Sequence, residues 1–115
     1  MTRFSVFLLL IASFSAAAGQ LLFKLGAQGH ARLVEFANVQ IVLGLFFYLV
    51  GTAIWVYVLS TERLTEVYAF TALTFVLVYV AGVFVVGEKL ITSTVIGIGL
   101  ILVGLYLIVA KPAIV

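Results

Sequence analysis

The chain has 115 residues, of which 66% are hydrophobic and 9% are charged, and its net charge is +2. A mean hydropathy of +1.41 leaves too few polar side chains to cover a water-soluble domain, so the composition indicates an integral membrane protein. The small net charge gives no reason to expect a nucleic-acid partner, and the absence of cysteine excludes disulfides and thiolate chemistry.

Four apolar runs follow one another along the chain, and each approaches or exceeds the roughly 20 residues that a helix needs to cross a bilayer. We predict an all-α membrane protein with one transmembrane domain over residues 1–115 and helices at about 4–27, 39–59, 67–86 and 91–110. None of the runs alternates like a strand. The connections are short, so neighbouring helices run antiparallel and both termini lie on one side.

The first run raises an alternative, because small residues at Ala16–Ala18 follow an apolar segment that begins after Arg3. Such an arrangement is also typical of a cleaved signal peptide. The apolar residues continue past that point to Leu25, whereas the hydrophobic core of a signal peptide is usually shorter. We therefore predict an uncleaved first helix.

A polar stripe marks one face of this helix. Ser13, Ala16, Ala17, Gln20 and Lys24 recur at spacings of three and four residues, which places them on a single face. A buried glutamine needs partners in hydrocarbon, so the stripe faces other helices or water. The small residues leave space for a cavity or for close helix packing, and both interpretations stay open. Lys24 either extends to lipid headgroups or receives an anionic group such as phosphate.

The second helix carries Tyr48, Thr52 and Trp55 at spacings of four and three. Trp55 and Tyr57 lie towards one end of this run. Aromatic rings commonly sit at the membrane–water interface, and we favour that interpretation for both residues.

The third helix opens with Tyr68, Thr71 and Thr74 at successive spacings of three. These side chains share a face that could offer hydroxyl groups to a solute. Threonine hydroxyls in helices also bond back to a carbonyl one turn earlier, so a purely local role stays open.

The fourth helix contains Gly97 and Gly104, which lie seven residues apart on one flank. Glycine permits close backbone approach between membrane helices, so we predict packing or a dimer seam here rather than a solute site. The same spacing occurs in the second helix at Gly44 and Gly51.

No enzyme signature is present in the sequence. The chain has no aspartate and a single histidine, His30, in a loop, and it lacks a phosphate-binding loop and metal-ligand spacings. We therefore predict no catalytic residues, no metal site and no cofactor.

The positive charges give almost no preference for either orientation in the membrane. Three basic residues fall on each side: Arg3, Arg63 and Lys111 on the side of the termini, and Lys24, Arg32 and Lys89 on the other. Equal or nearly equal numbers of basic residues on the two sides are typical of a dual-topology protein. A small protein with few loops can also have such a distribution by chance.

Three segments together resemble the four-helix branch of the drug/metabolite transporter superfamily. Residues 16–27, AAAGQLLFKLGA, are similar to the first helix of the flippase subunits for undecaprenyl-phosphate-linked aminoarabinose and of EamA-like proteins. Residues 67–78, VYAFTALTFVLV, resemble the tyrosine-bearing third helix of that group. Residues 85–108 contain Gly87 and Glu88 of a Gly-Glu-x-Leu turn and resemble the glycine-containing last helix. The order and spacing of these three segments resemble those of that branch over nearly the whole chain.

The small multidrug resistance transporters are related to that branch, and they resemble this chain in length, in the lysine of the first helix and in the tyrosine of the third. Their coupling glutamate would fall near Ala16, where this chain has no carboxylate. This departure argues against proton-coupled export of cations, and Glu66 and Glu88 at helix ends are poor replacements. The tryptophan of that family corresponds to Thr71, which weakens an aromatic cage for a lipophilic cation.

The resemblance implies a multi-pass transporter of the bacterial inner membrane that works as a homodimer or as a heterodimer with a related subunit. Its substrate would be a lipid-linked or small amphipathic anion, such as a polyprenyl-phosphate-linked sugar. On this view Gln20 and Tyr68 bind the polar head and Lys24 meets the phosphate. The candidate substrate-binding residues are Ser13, Gln20, Lys24, Tyr68, Thr71 and Thr74.

Two other functions stay open at this point. One is export of cations or drugs, as in the small multidrug resistance proteins. The other is a non-transporting membrane subunit that stabilises a larger complex.

Overall fold

The computed structural model describes residues 1–110, and all of its regular elements within them are helical. The helices are α1 Arg3–Ala27, α2 Val39–Leu59, α3 Leu64–Tyr68, α4 Phe70–Ala81 and α5 Thr92–Ala110, with a 3₁₀ turn at Leu33–Phe36 and a π-helical turn at Gly82–Val86. Taking Leu64–Val86 as one span, four helices are long and apolar enough to cross a membrane. The prediction of an all-helical chain with four such helices is confirmed. Lys111 lies outside the described residues.

The third span differs from the sequence prediction in two ways. It begins at Leu64 rather than near residue 67, and it is interrupted at Ala69, between α3 and α4. The Thr71 hydroxyl donates to the Tyr68 carbonyl oxygen at 2.7 Å, and the Ala72 N–H donates to the Ala69 carbonyl oxygen at 3.0 Å. Such short-range bonds compete with the regular α-helical pattern and tighten the helix locally.

The closest backbone approach joins α1 to α2, and glycines make it possible. A Cβ on Gly19 would lie 2.7 Å from the Gly44 carbonyl oxygen, and a Cβ on Gly51 would lie 2.9 Å from the Ala12 carbonyl oxygen. Since no side chain fits at these positions, the two helices pack as membrane helices do through small residues. We call these four residues the glycine seam. The spacing of Gly44 and Gly51 thus serves packing within one chain.

Helix α5 is the least enclosed of the four spans. None of its residues is buried, and its packing is mainly against α4. A Cβ at Gly97 or Gly104 would meet no atom within 4 Å. These two glycines therefore face away from the rest of the described chain, and the dimer seam proposed for them stays a prediction.

A left-handed glycine follows the π-helical turn and ends the third span. Gly87 has a φ of 86°, which few residues other than glycine adopt. The Glu88 N–H donates to the Gly82 carbonyl oxygen at 3.0 Å. A Cβ on Gly82 would lie 2.6 Å from Oε1 of Glu88, so the missing side chain leaves space for this carboxylate. Gly87 and Glu88 therefore form the predicted turn.

Glu35 organises the longest connection. Its Oε1 accepts hydrogen bonds from the Arg32 N–H at 3.0 Å and the Ala31 N–H at 3.2 Å, which lower the pKa of the Glu35 carboxyl. His30 Nδ1 lies 3.9 Å from the Glu35 carboxylate. Residues 1–110 contain no group of three histidine, cysteine, aspartate or glutamate side chains close enough together to hold a metal ion.

Glu62 ties the link between α2 and α3 to the start of α1. Its carboxylate accepts hydrogen bonds from the Ser5 hydroxyl at 2.5 Å and from the Thr2 N–H at 3.3 Å. The hydrogen bond from the Ser5 hydroxyl is the main reason why the pKa of the Glu62 carboxyl is lowered. The Thr2 N–H lowers this pKa further, whereas partial burial of the carboxyl raises it. This contact holds the end of the bundle that carries Thr2.

Gly19→Ala is expected to destabilise the protein, whereas Gly99→Ala should leave it unchanged or stabilise it. A methyl group at Gly19 would press on the backbone of α2, and overpacking costs about 1–3 kcal/mol. At Gly99 a methyl group meets no atom within 4 Å, and alanine favours the helix. Thermal unfolding of both variants in one detergent measures the contrast, and equal unfolding temperatures would contradict the seam.

Glu62→Gln is expected to lower the unfolding temperature by about 2–5 °C at neutral pH. Since folding lowers the pKa of Glu62 from 4.5, the carboxylate stabilises the fold above that pH and loses its effect as the pH falls through the folded-state pKa. The difference from the wild type should therefore shrink in acid. Glu66→Gln is the matched control, because no hydrogen bond to the Glu66 side chain occurs within residues 1–110. A difference that does not depend on pH would contradict this role.

Candidate functional site

A cavity of about 530 Å³ lies between α1, α2 and the span formed by α3 and α4. Five of the six candidate substrate-binding residues line it, namely Ser13, Gln20, Tyr68, Thr71 and Thr74. Its volume falls within the roughly 300–1,000 Å³ that is typical of small-molecule pockets. The structure thus brings together candidate residues of α1 and of the third span, which are distant in the sequence.

The glycine seam determines which face of α1 is turned to this cavity. Gly19 lies against the backbone of α2, and successive residues of a helix are rotated by about 100°. Gln20 is therefore turned away from the seam and towards the third span. Its side chain is exposed, lines the cavity and has no hydrogen-bond partner within residues 1–110. An amide of this kind needs water or a ligand if the helix lies in a membrane.

The cavity is closed on the side that leads to the chain start. Leu9, Val58, Val67 and Phe70 form a buried apolar cluster there. Leu9 lies one turn before the lining residue Ala12. We call the four clustered residues the apolar floor of the cavity. The cavity therefore lies above a packed layer. It opens to the surface at Gln20, which we call its mouth, and also along its side, where Tyr68 and Thr71 are exposed.

The hydroxyl groups of the cavity donate their protons to backbone carbonyls. Ser13 and Thr74 each donate to the Phe70 carbonyl oxygen at 3.4 Å, and Thr71 donates to the Tyr68 carbonyl oxygen at 2.7 Å. The two interpretations of the threonines are thus compatible, because the hydroxyls bond back to the helix and also line the cavity. A hydroxyl has one proton and two lone pairs. These side chains therefore present oxygen lone pairs to a solute.

Aromatic side chains supply much of the remaining wall. Trp55 lines the cavity, and its ring lies edge-on to that of Tyr68, with 6.4 Å between the centroids. Tyr48 and Phe70 line it as well. Trp55 therefore forms part of the cavity wall, and its assignment to an interfacial aromatic belt stays a prediction. Tyr57 is 63% exposed, and its assignment to the belt stays a prediction.

Lys24 is the candidate residue that does not line the cavity. It lies in the last turn of α1, four residues beyond Gln20 and about 6 Å further along the helix. Its side chain is exposed, and no ion pair to it occurs within residues 1–110. Both interpretations of Lys24 stay open, but its ammonium group would act at the mouth of the cavity and not inside it.

The sequence analysis missed the contribution of α2 to this site. Tyr48, Gly51, Thr52 and Trp55 all line the cavity, although the sequence favours an interfacial position for Trp55 and gives none of the four a role in a site. Gly51 was the available signal, because a glycine between two residues of one helix face marks a place where another backbone comes close. The turn glycine Gly87 and the α5 glycines lie outside the cavity lining.

Comparisons of this chain with protein-family models, with curated proteins and with solved structures give no match. The function is therefore inferred from the cavity itself and from the resemblance of the sequence motifs.

Single-cysteine variants test the exposure of the cavity to water, because the chain has no natural cysteine. Gln20→Cys in proteoliposomes is expected to react with a water-soluble maleimide, since a thiol needs water to ionise and attack. Phe14→Cys is the control. Phe14 is 60% exposed but lies on the outer face of α1 and α2 rather than in the cavity, so it should stay unreactive. If neither cysteine reacts with the maleimide, the result would contradict a cavity that is open to water.

Proposed function

We propose that this chain is one subunit of a bacterial inner-membrane transporter that moves an amphipathic anion, such as a polyprenyl-phosphate-linked sugar, between leaflets. The observation that carries the proposal is the cavity between α1, α2 and the third span. It combines a free amide at Gln20, hydroxyl oxygens and aromatic rings in a chain whose spans are otherwise apolar.

The arrangement of Gln20 and Lys24 supports a substrate with a polar head and an adjoining phosphate. Gln20 and Tyr68 line the cavity and are free to bond to the head. Lys24 lies about 6 Å further along the same face of α1, where its ammonium group can meet a phosphate. The apolar surface around the mouth is compatible with a lipid tail.

The shape of the chain supports a dimer as the working unit. Its smallest dimension is 19 Å, about two helix diameters, and α5 has no buried residue. A transport pathway needs more wall than this, and transporters commonly build it from repeated units. We propose that Gly97 and Gly104 pack against a second copy or against a related subunit, which would complete the wall.

A second candidate function is export of a lipophilic cation. The observation that favours it is the aromatic wall of Tyr48, Trp55 and Tyr68, since aromatic faces attract cations. The cavity has no carboxylate to exchange a proton for a cation, which counts against this function. Movement of a quaternary ammonium dye that is driven by a pH gradient and abolished by Glu66→Gln or Glu88→Gln would favour it.

Reconstitution tests the first function directly. Vesicles that contain only this protein are loaded with a polyprenyl phosphate carrying a fluorescent sugar, and a membrane-impermeant quencher reports which leaflet holds the label. We expect the label to cross at least about tenfold faster than in protein-free vesicles. Gln20→Leu should slow the movement by about tenfold, the loss of one or two hydrogen bonds.

Gln40→Leu is the matched control for this experiment. Gln40 lies in the first turn of α2 and outside the cavity lining, so this variant should transport like the wild type. Failure of a correctly folded protein to move the label above the protein-free rate would contradict the proposed function. It would leave export of a cation and the non-transporting subunit as the remaining explanations unless a related partner restores movement.

A further inference from the structure

The cavity lining contains no ionisable acid or base among the described residues other than tyrosine. The nearest candidate cation, Lys24, lies outside it, and neither Glu66 nor Glu88 lines it. A charge transferred from water to a low-dielectric cavity needs a partner of opposite sign or a dense set of hydrogen bonds. Neither a phosphate nor a bare cation finds a charged partner in this lining.

The cavity offers donors from Gln20, Trp55 and the tyrosines, and its threonines present acceptors. Thr52 repeats the pattern of the third span, because its hydroxyl donates to the Tyr48 carbonyl oxygen at 3.0 Å. With Thr71 and Thr74, three threonines thus commit their protons to the backbone and present lone pairs. These three oxygens offer no hydrogen bond to a phosphate diester, which only accepts hydrogen bonds, and the lining holds no positive charge to bind it. A group that carries several O–H donors satisfies the three oxygens.

The aromatic wall adds a second requirement, which concerns the shape of the ligand. Trp55 and Tyr68 stand edge-on to each other, so their ring planes offer two differently directed apolar surfaces. The face of an aromatic ring is negative and attracts C–H groups that are polarised by neighbouring oxygens. A ring that carries C–H groups on its faces and hydroxyls at its edge fits such a wall, because it packs against Trp55 while its hydroxyls reach the threonines.

We propose that the cavity is a neutral sugar subsite that receives the hydroxyl-bearing ring of the substrate beside Trp55 and keeps the phosphate outside. This inference rests on the proposed function and adds which part of the substrate enters the cavity and which residues select it. Trp55, Thr52, Thr71 and Thr74 then determine specificity for an uncharged ring. The separation of about 6 Å between Gln20 and Lys24 along α1 places the phosphate at the mouth while the ring lies deeper.

Binding of three short amphiphiles tests the subsite without transport. Decyl glucoside, decyl phosphate and decyltrimethylammonium share one alkyl chain and differ in a neutral sugar, an anion and a cation. Trp55 is the single tryptophan of the chain, so its fluorescence in phosphatidylcholine vesicles reports occupancy. We expect decyl glucoside to shift this emission saturably, with an apparent Kd at least about tenfold below those of the other two amphiphiles.

Thr71→Val separates the hydroxyl from the shape of the side chain. It should weaken glucoside binding by about three- to tenfold, the loss of one hydrogen bond, and leave the other two amphiphiles unaffected. Thr94→Val in α5 is the matched control, because Thr94 lies outside the cavity lining, and it should bind like the wild type. Tighter or equal binding of decyl phosphate or decyltrimethylammonium, or an unchanged Kd in Thr71→Val, overturns the subsite.

The two proposals fail in different ways. If the labelled lipid crosses the membrane but decyl glucoside does not bind, the transport function stands and the sugar subsite is wrong. If decyl glucoside binds with the expected preference and Thr71 dependence but the lipid does not cross, the subsite stands as a binding site and the transport function is wrong.

Discussion

The backbone contact between α1 and α2 determines how the rest of the molecule is arranged. Gly19 and Gly51 allow each helix to reach the carbonyl oxygens of the other, and a helix held that closely on one flank cannot turn. The polar stripe of α1 is therefore fixed about a quarter turn away from the seam, facing the third span. The cavity is the space that remains there above the apolar floor, where Val67 and Phe70 of that span pack with Leu9 of α1.

The low dielectric constant of a membrane interior explains which polar groups line the cavity and how they are bonded. In a membrane, free polar groups are retained only where water or a ligand reaches them. The threonine hydroxyls meet this constraint by bonding to Tyr48, Tyr68 and Phe70 carbonyls, whereas the Gln20 amide remains free. A lining with lone pairs, aromatic faces and no fixed charge favours a neutral ring, and it leaves charge to Lys24 at the mouth.

Much of the fold is predictable from the sequence because length and apolarity define a membrane span almost alone. The four runs give the spans, and the three- and four-residue spacings give the face of α1 that carries Gln20. Two features depend on contacts that no single helix contains. The sequence favours an interfacial position for Trp55, and the contact of its ring with Tyr68 depends on how α2 packs against α3. Gly44 and Gly97 begin identical seven-residue pairs, yet the first packs within the chain and the second meets nothing.

The interruption of the third span at Ala69 is another feature that the hydropathy of the sequence does not reveal. A local competition between the Thr71 hydroxyl and the backbone produces it, and hydropathy does not register such a competition. It places Tyr68 and Phe70, on either side of the break, at the wall and the floor of the same cavity.

The glutamine face of α1 borders an accessible cavity within the protein. Determining the structure in lipid nanodiscs is the direct test. We expect the Gln20 side chain to face an open volume shared with Trp55, bordered by α2 and the third span. Density that places Gln20 against acyl chains, or neighbouring side chains that fill this volume completely, would contradict it.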